Sequence, residues 1–422
     1  MKIKFYTYVV LLAVTFAGIA PAMGQVTETV SIGSANEVYY SLSTGTQSAV
    51  NRKQWDIAFR ANRRSASIIT NDASGVELYA YPKTDTSGWA AAADTSGLYG
   101  WKKLVNSTTD WETGAFCQNQ KGHPDYGWGT YNSTTHDVMG DSIFIIKLRD
   151  GSFRKLWIME KFSADNVFQF KYANLDGTGE NNILFDCNPY ATKNFIGYSL
   201  STNQGVDFEP VISTNWDLLF TKYVYTYPVS GAQQTVTGVL SNYKVKVKKY
   251  EPVTPDFLML APQVMDSTRS PIGFDWKTYN YDTGVYDITD SLIYFVQDKS
   301  GKIFKLIFTE YVGGSTGRFG FQKELNSFTG VTETSKSGFN ATVYPNPVSN
   351  VMNLMVNPGK SRFAVVSIVD MSGRTVLSKH YDMQSEDLST LKIPVSEIPS
   401  GLYMVKIQAG GNTIARKVIV NK

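Results

Sequence analysis

The sequence predicts an all-β, mainly antiparallel protein: two copies of one β unit followed by a small immunoglobulin-like β-sandwich. Three observations carry this. Aromatic residues make up 13% of 422 residues, and 34 glycines punctuate the chain into short runs, a composition that suits pleated, half-buried strands joined by turns. No segment sustains a helical period between start and stop signals. Finally, short motifs recur in fixed order along most of the chain.

The recurrence runs through several segments. Tyr40-Ser-Leu-Ser-Thr44 returns as Tyr198-Ser-Leu-Ser-Thr202, Trp55-Asp56-Ile-Ala-Phe59 as Trp216-Asp217-Leu-Leu-Phe220, and Trp128-Gly-Thr-Tyr-Asn132 as Trp276-Lys-Thr-Tyr-Asn280. Gly151-Ser-Phe-Arg-Lys155-Leu then returns as Gly301-Lys-Ile-Phe-Lys305-Leu. Order is kept while spacing changes, as in a duplication whose loops differ in length. The expected units are residues 25–190 and 191–327. Within each, aromatic and β-branched runs predict a three-stranded meander, at 141–148, 153–162 and 167–175 in the first and at 291–297, 303–312 and 318–325 in the second. Asn242 to Tyr250 alternates Lys244, Lys246 and Lys248 against Tyr243, Val245 and Val247, the pattern of a half-buried strand with a solvated face. The twice-occurring Trp-Asp pair reads as scaffold: an indole packs inside while the neighbouring carboxylate fixes a turn.

Residues 328–340, rich in Ser, Thr and Gly, hold too little apolar content to pack and predict a linker. Beyond them, residues 341–422 are cut into about seven short strands by Pro345, Pro347, Pro358, Gly373, Pro394 and Gly401, which fits a small sandwich.

At the other end, Lys2 and Lys4, an apolar run from Val9 to Ala20 and Ala22-Met23-Gly24 spell a cleaved signal peptide over residues 1–24. Its apolar run is too short to cross the roughly 30 Å bilayer core as a helix. No cysteine near the cleavage point offers a lipid attachment, and no later stretch predicts a membrane span. The leader's only charged residues are its two lysines, so 40 Lys+Arg falls to 38 against 37 Asp+Glu. So balanced a chain has no long-range field for nucleic acid or membranes. The two cysteines, Cys117 and Cys187, are either a disulfide closing a loop of about 70 residues, worth roughly 4 kcal/mol on a chain-entropy model, or two free thiols.

Catalytic patterns are sparse. Gly313-Gly-Ser-Thr-Gly317 matches a nucleophile elbow by letters, but it lies between two expected strands rather than before a helix, so it predicts a hairpin turn. There is no H-E-x-x-H, CxxC, P-loop or dinucleotide fingerprint. A carboxylate-pair glycosidase ranks third among the functional readings.

Two resemblances organise these observations. Tyr344, Pro345, Asn346 and Pro347, the turn at Gly373, the strand from Gly401 and the close at Lys417 and Lys422 resemble a type A C-terminal sorting domain of the type IX secretion system. That resemblance implies export through periplasm and outer membrane to the cell surface or beyond. It also implies recognition of residues 401–422 by the secretion machinery and removal by its sorting peptidase near the linker. The repeated Trp-Asp segment, with its Gly-x-x-Phe-x-Lys meander, resembles the HmuY-like family of β-rich haem-binding proteins. It implies capture of haem, free or from a host haemoprotein. Haem capture needs an apolar slot and two side chains reaching iron from opposite faces. The cargo's two histidines, His123 and His136, flank the aromatic loop Tyr126-Gly-Trp128-Gly, and Met139 follows closely; these three are the candidate ligands. The expected function is a non-enzymatic binding protein, possible ligand haem or a related porphyrin, the alternative being a surface adhesin or glycan-binding protein.

Overall fold

The computed structural model describes residues 25–210, 216–255, 257, 259, 264–313, 316–326, 339–357, 361–383 and 389–422. The expected signal peptide and most of the expected linker lie outside these residues, as does Ser315. The all-β expectation holds: the described residues form antiparallel sheets with short 3-10 turns and no α-helix.

Before residue 327 the sheets stack in four layers. One outer sheet runs from Asn181–Asp186 through Val167–Ala173, Phe153–Phe162, Phe144–Lys147 and Glu77–Ala80 to Lys103–Leu104. It packs on an inner sheet of Gln204–Val206, Phe195–Ser199, Ile57–Arg60 and Ile68–Thr70. The second inner sheet is Gln233–Ser241, Leu218–Thr226, Asn36–Tyr40 and Gln47–Asn51. Its outer partner holds Val26–Ser31, Arg318–Leu325, Ile303–Val312, Ile293–Gln297 and Lys246–Tyr250. Successive strand residues point to opposite faces, so the inner strands must be apolar on both. Ile57 and Phe59 enter the first unit's core while Ala58 turns outward; Leu218 and Phe220 enter the second while Leu219 turns outward. The outward set packs against its counterpart: Ala58, Ile69 and Phe195 of one inner sheet share a cluster with Tyr39, Leu219, Tyr223 and Leu240 of the other.

The repeats do not fold as consecutive blocks. The hairpin around Tyr198, which opens the second repeat, pairs with Ile57–Arg60 of the first. The hairpin around Tyr40, which opens the first, pairs with Leu218–Thr226 of the second. One folded unit is therefore a continuous stretch of about residues 52–209, and the other is assembled from 26–51 and 216–326. A boundary at 190/191 cuts through the first unit. Each hairpin meets the Trp-Asp edge of the other copy, where the aspartate accepts from its backbone.

The expected meanders are present in both units, and each repeat buries its tryptophan completely, Trp128 and Trp276. The nucleophile-like glycine run sits between Ile303–Val312 and Arg318–Leu325, which pair as a hairpin. After residue 339, a three-stranded and a four-stranded sheet enclose a separate core, giving the seven strands expected of the terminal sandwich.

Candidate functional site

The Trp-Asp pair at the start of an inner strand places two adjacent side chains on opposite sides. Asp56, fully buried, turns to the closing hairpin, where its Oδ2 accepts from the Leu200 N–H at 2.8 Å. Trp55 turns the other way, into the interface between the units. Trp216 and Asp217 repeat this in the second unit. Asn71 and Asn242 brace the pairs alike, donating from Nδ2 to the carbonyls of Trp55 and Trp216 at 2.8 and 2.7 Å. The aspartates thus fix the closing hairpins as expected, while the indoles pack into the cluster between the two inner sheets.

Between the two inner sheets lies a cleft with a void of about 70 Å³, room for a few waters or a very small ligand. Aromatic rings form its walls. Trp55 stacks on Phe208 with centroids 4.7 Å apart, Tyr39 meets Trp216 edge-on at 4.9 Å, and Trp111 stands 6.4 Å from Trp216. Gly197 permits the first pair, because a Cβ there would stand 2.8 Å from Trp55 Cβ and 3.0 Å from Phe208 Cδ1.

Charge is concentrated in the same place. Glu37, Arg52, Asp72, Glu209 and Arg269 all line the cleft. Burial pushes the Glu37 and Glu209 carboxyls above the usual range and Asp72 up to about 6. The acids are occupied by protein donors. Glu37 accepts from Tyr39 Oη and Thr221 Oγ1, Asp72 from the Asn106 and Ala73 N–H groups, and Glu209 from the Trp216 indole and the Phe195 N–H. The cations are not matched in this way. Arg52 Nη2 donates to the Ser34 carbonyl and Arg269 Nη1 to the Ser107 carbonyl. Yet Arg52 Nε and Nη1, Arg269 Nε, and the indole nitrogens of Trp55 and Trp111 are buried and without a hydrogen-bond partner. Burial lowers both guanidinium groups from their ordinary value, opposed by the charge of Glu37 and, at Arg269, first by Asp72; arginine nonetheless stays protonated in proteins.

The histidine set lies elsewhere. His123 and His136 are exposed, and both contact Tyr131, with ring centroids at 5.2 and 6.0 Å and a 2.6 Å hydrogen bond between His136 Nδ1 and Tyr131 Oη. Both rings thus stand exposed about Tyr131, itself half-buried against the first unit's core. Met139 pairs with Thr130 while Tyr131 pairs with Val138, so Met139 lies on the other face of this ribbon, 46% exposed. A haem site needs an apolar slot with at least one side chain reaching the iron; these three exposed residues line no such slot and do not fit haem as arranged.

Cys117 and Cys187 are both free and buried in one core. Burial pushes their thiols up to about 11 and about 12, so they pack as small apolar side chains and the disulfide alternative is not realised.

The sorting residues form a clasp. Asn346 donates from Nδ2 to the Lys417 carbonyl at 3.0 Å and accepts from the Ile419 N–H at 2.7 Å, while Val348 and Val420 form a parallel bridge. Tyr344, Pro345 and Pro347 carry this asparagine to the last strand, Asn412–Val420. Gly373, at φ 88°, closes the turn that Asp370 caps; Gly401 opens the strand beside the last one; the Lys422 N–H donates to Ser400 Oγ.

Sequence reasoning missed the charged lining of the cleft. Arg52, Asp72 and Arg269 stand in no repeated motif, and only the apposition of two sheets makes them neighbours.

Comparison with known proteins agrees with the two halves of this picture. Residues 34–172 match the model of the HmuY protein family, and residues 342–421 that of the secretion system C-terminal sorting domain. No curated protein matches the chain. Two solved structures overlap with it, both from Porphyromonas gingivalis: dimeric latent PorU, at 13% identity and TM-score 0.19, and PorZ, a surface component of the type-IX secretion system, at 10% and 0.16. The alignments cover 68% and 69% of this chain but 31% and 44% of those, so the chain spans less than half the length of either. The chain thus carries a region similar to the HmuY protein family over residues 34–172 and a type IX sorting domain over residues 342–421, and the sorting domain indicates export to the cell surface or beyond.

Proposed function

We propose that this exported chain is a non-enzymatic binding protein whose ligand sits in the cleft between its two β units. One observation carries the reading: five buried donor atoms on four cleft side chains have no hydrogen-bond partner. Each such group costs about 1–3 kcal/mol when left unmet, which a ligand with acceptor atoms repays. Haem, the ligand that the family name suggests, enters as a competitor, because the exposed histidines about Tyr131 lack an apolar slot.

The test is a thermal-shift screen of residues 25–422 with haemin, mono- and disaccharides and small organic acids. Trp111→Ala and His136→Ala variants run alongside. At least one compound should stabilise the wild type and His136→Ala but not Trp111→Ala. A haemin Soret shift lost in His136→Ala or His123→Ala would move the site to the histidines. Hydrolysis of any sugar in the panel would overturn the non-enzymatic assignment.

A further inference from the structure

We propose that the cleft between the two β units recognises a carboxylate, either a small free organic acid or the carboxylate arm of a larger molecule. This inference rests on the cleft being the ligand site and adds the chemistry of what it holds.

The unmet groups are unbalanced in kind. Arg52 Nε and Nη1, Arg269 Nε and the two indole nitrogens only donate, and the remaining unmet cleft atom, Thr70 Oγ1, is a hydroxyl that donates or accepts. Glu37, Asp72 and Glu209 already accept from protein donors, so the unmet capacity of the cleft is mainly on the donor side. An anion needs only donors. Arg52 is 5% exposed, and neither it nor Arg269 forms a direct ion pair with a carboxylate among the described residues; the charges of Glu37 and Asp72 reach them only through space, which leaves charged donors open on both guanidinium groups. The two cations also come from different places, Arg52 from just before the first unit's inner strand and Arg269 from the second unit, where it lies over the Trp111 ring at 4.6 Å. The site exists only when both units are assembled.

Size and shape choose the carboxylate over bulkier anions. A void near 70 Å³ admits a handful of non-hydrogen atoms, and the aromatic walls favour a ligand with an apolar body behind its charge. A flat carboxylate suits guanidinium and indole N–H donors together.

The experiment is calorimetry on residues 25–422 at fixed ionic strength, with acetate, benzoate and glucuronate, their neutral counterparts acetamide, benzamide and glucose, and inorganic phosphate. Carboxylates should bind at least about tenfold more tightly than their neutral partners, a difference of about 1.4 kcal/mol. Acetate binding as well as glucuronate would identify a free small acid, and glucuronate alone an arm of a larger molecule; both support the inference. Arg52→Gln should abolish the preference for charge. Because that variant risks the fold, the wild-type Trp55 and Trp111 indole N–H resonances are followed too, and should move on adding acetate. Glucose equal to glucuronate, or phosphate above every carboxylate, would overturn the ligand class while leaving the cleft as the site. Indole resonances unmoved by every probe, haemin included, would remove the site itself.

Discussion

Asp217 and Leu42 lie 175 residues apart and are joined by a 2.8 Å hydrogen bond from the Leu42 N–H to the carboxylate. Asp56 and Leu200 repeat it at 2.8 Å, 144 residues apart. Each repeat's aspartate thus holds the hairpin that opens the other repeat. The carbonyls of Tyr40 and Tyr198 complete each clasp by accepting from the Asp217 and Asp56 N–H groups at 2.8 and 2.9 Å.

The clasp predicts which fragments fold. Residues 52–209 keep Asp56 with its hairpin and should give a dispersed amide NMR spectrum. Residues 25–190 lack the hairpin at Phe195–Ser199 and should give a collapsed one. A well-dispersed 25–190 spectrum would show that the repeats fold as consecutive blocks.

The two clasps should differ in cost. Asp217→Ala leaves one amide unmet, about 1–3 kcal/mol. Asp56 also meets Arg149 Nη2 at 2.9 Å, so Asp56→Ala strands a charge as well and should cost about 3–5 kcal/mol. Urea midpoints at unchanged m-value measure both.

Acid should strengthen the fold across a defined window. Burial pushes Asp72 and Asp217 up to about 6, above the roughly 3.9 of an unfolded aspartate. A raised carboxyl binds its proton more readily when folded, so its contribution is complete below about pH 4 and is lost as pH rises through 6. Lys161, Lys277 and Lys299, pulled down to about 8 by burial, titrate above this window and add no slope to it. The urea midpoint should be higher at pH 5 than at pH 7.5, with the difference reduced in Asp217→Asn. A lower midpoint at pH 5 would contradict the assignment.

Asn346→Ala should loosen the end of the sorting domain. It removes both bonds to the last strand, about 1–2 kcal/mol net, and should speed amide exchange at Val418 and Val420 while leaving the core at Val366 and Ile368 protected. Secretion of the variant should fall with it, read as the share of chain reaching the medium or cell surface.

Much of this was legible in the sequence, and the limits have physical causes. Period-two alternation and turn residues located the strands, because those signals are local. The Trp-Asp recurrence revealed a duplication and its scaffold role, yet not the exchange of hairpins, since identical motifs make the two pairings indistinguishable by pattern. The sequence offered His123 and His136 as candidate ligands beside an aromatic loop, but whether such rings face a slot or stand exposed about Tyr131 depends on packing that no local pattern encodes. The cleft was invisible for a related reason: Arg52 and Arg269 are separated by most of the cargo and meet only where two sheet faces oppose.

A crystal structure of residues 25–422 with the tightest-binding compound from the screen tests the central claim most directly. Density for the compound between Trp55, Trp111 and Arg269, with Arg52 in contact, is the predicted result. Density at the exposed face of His123, Tyr131 and His136, with the cleft unchanged, would contradict it.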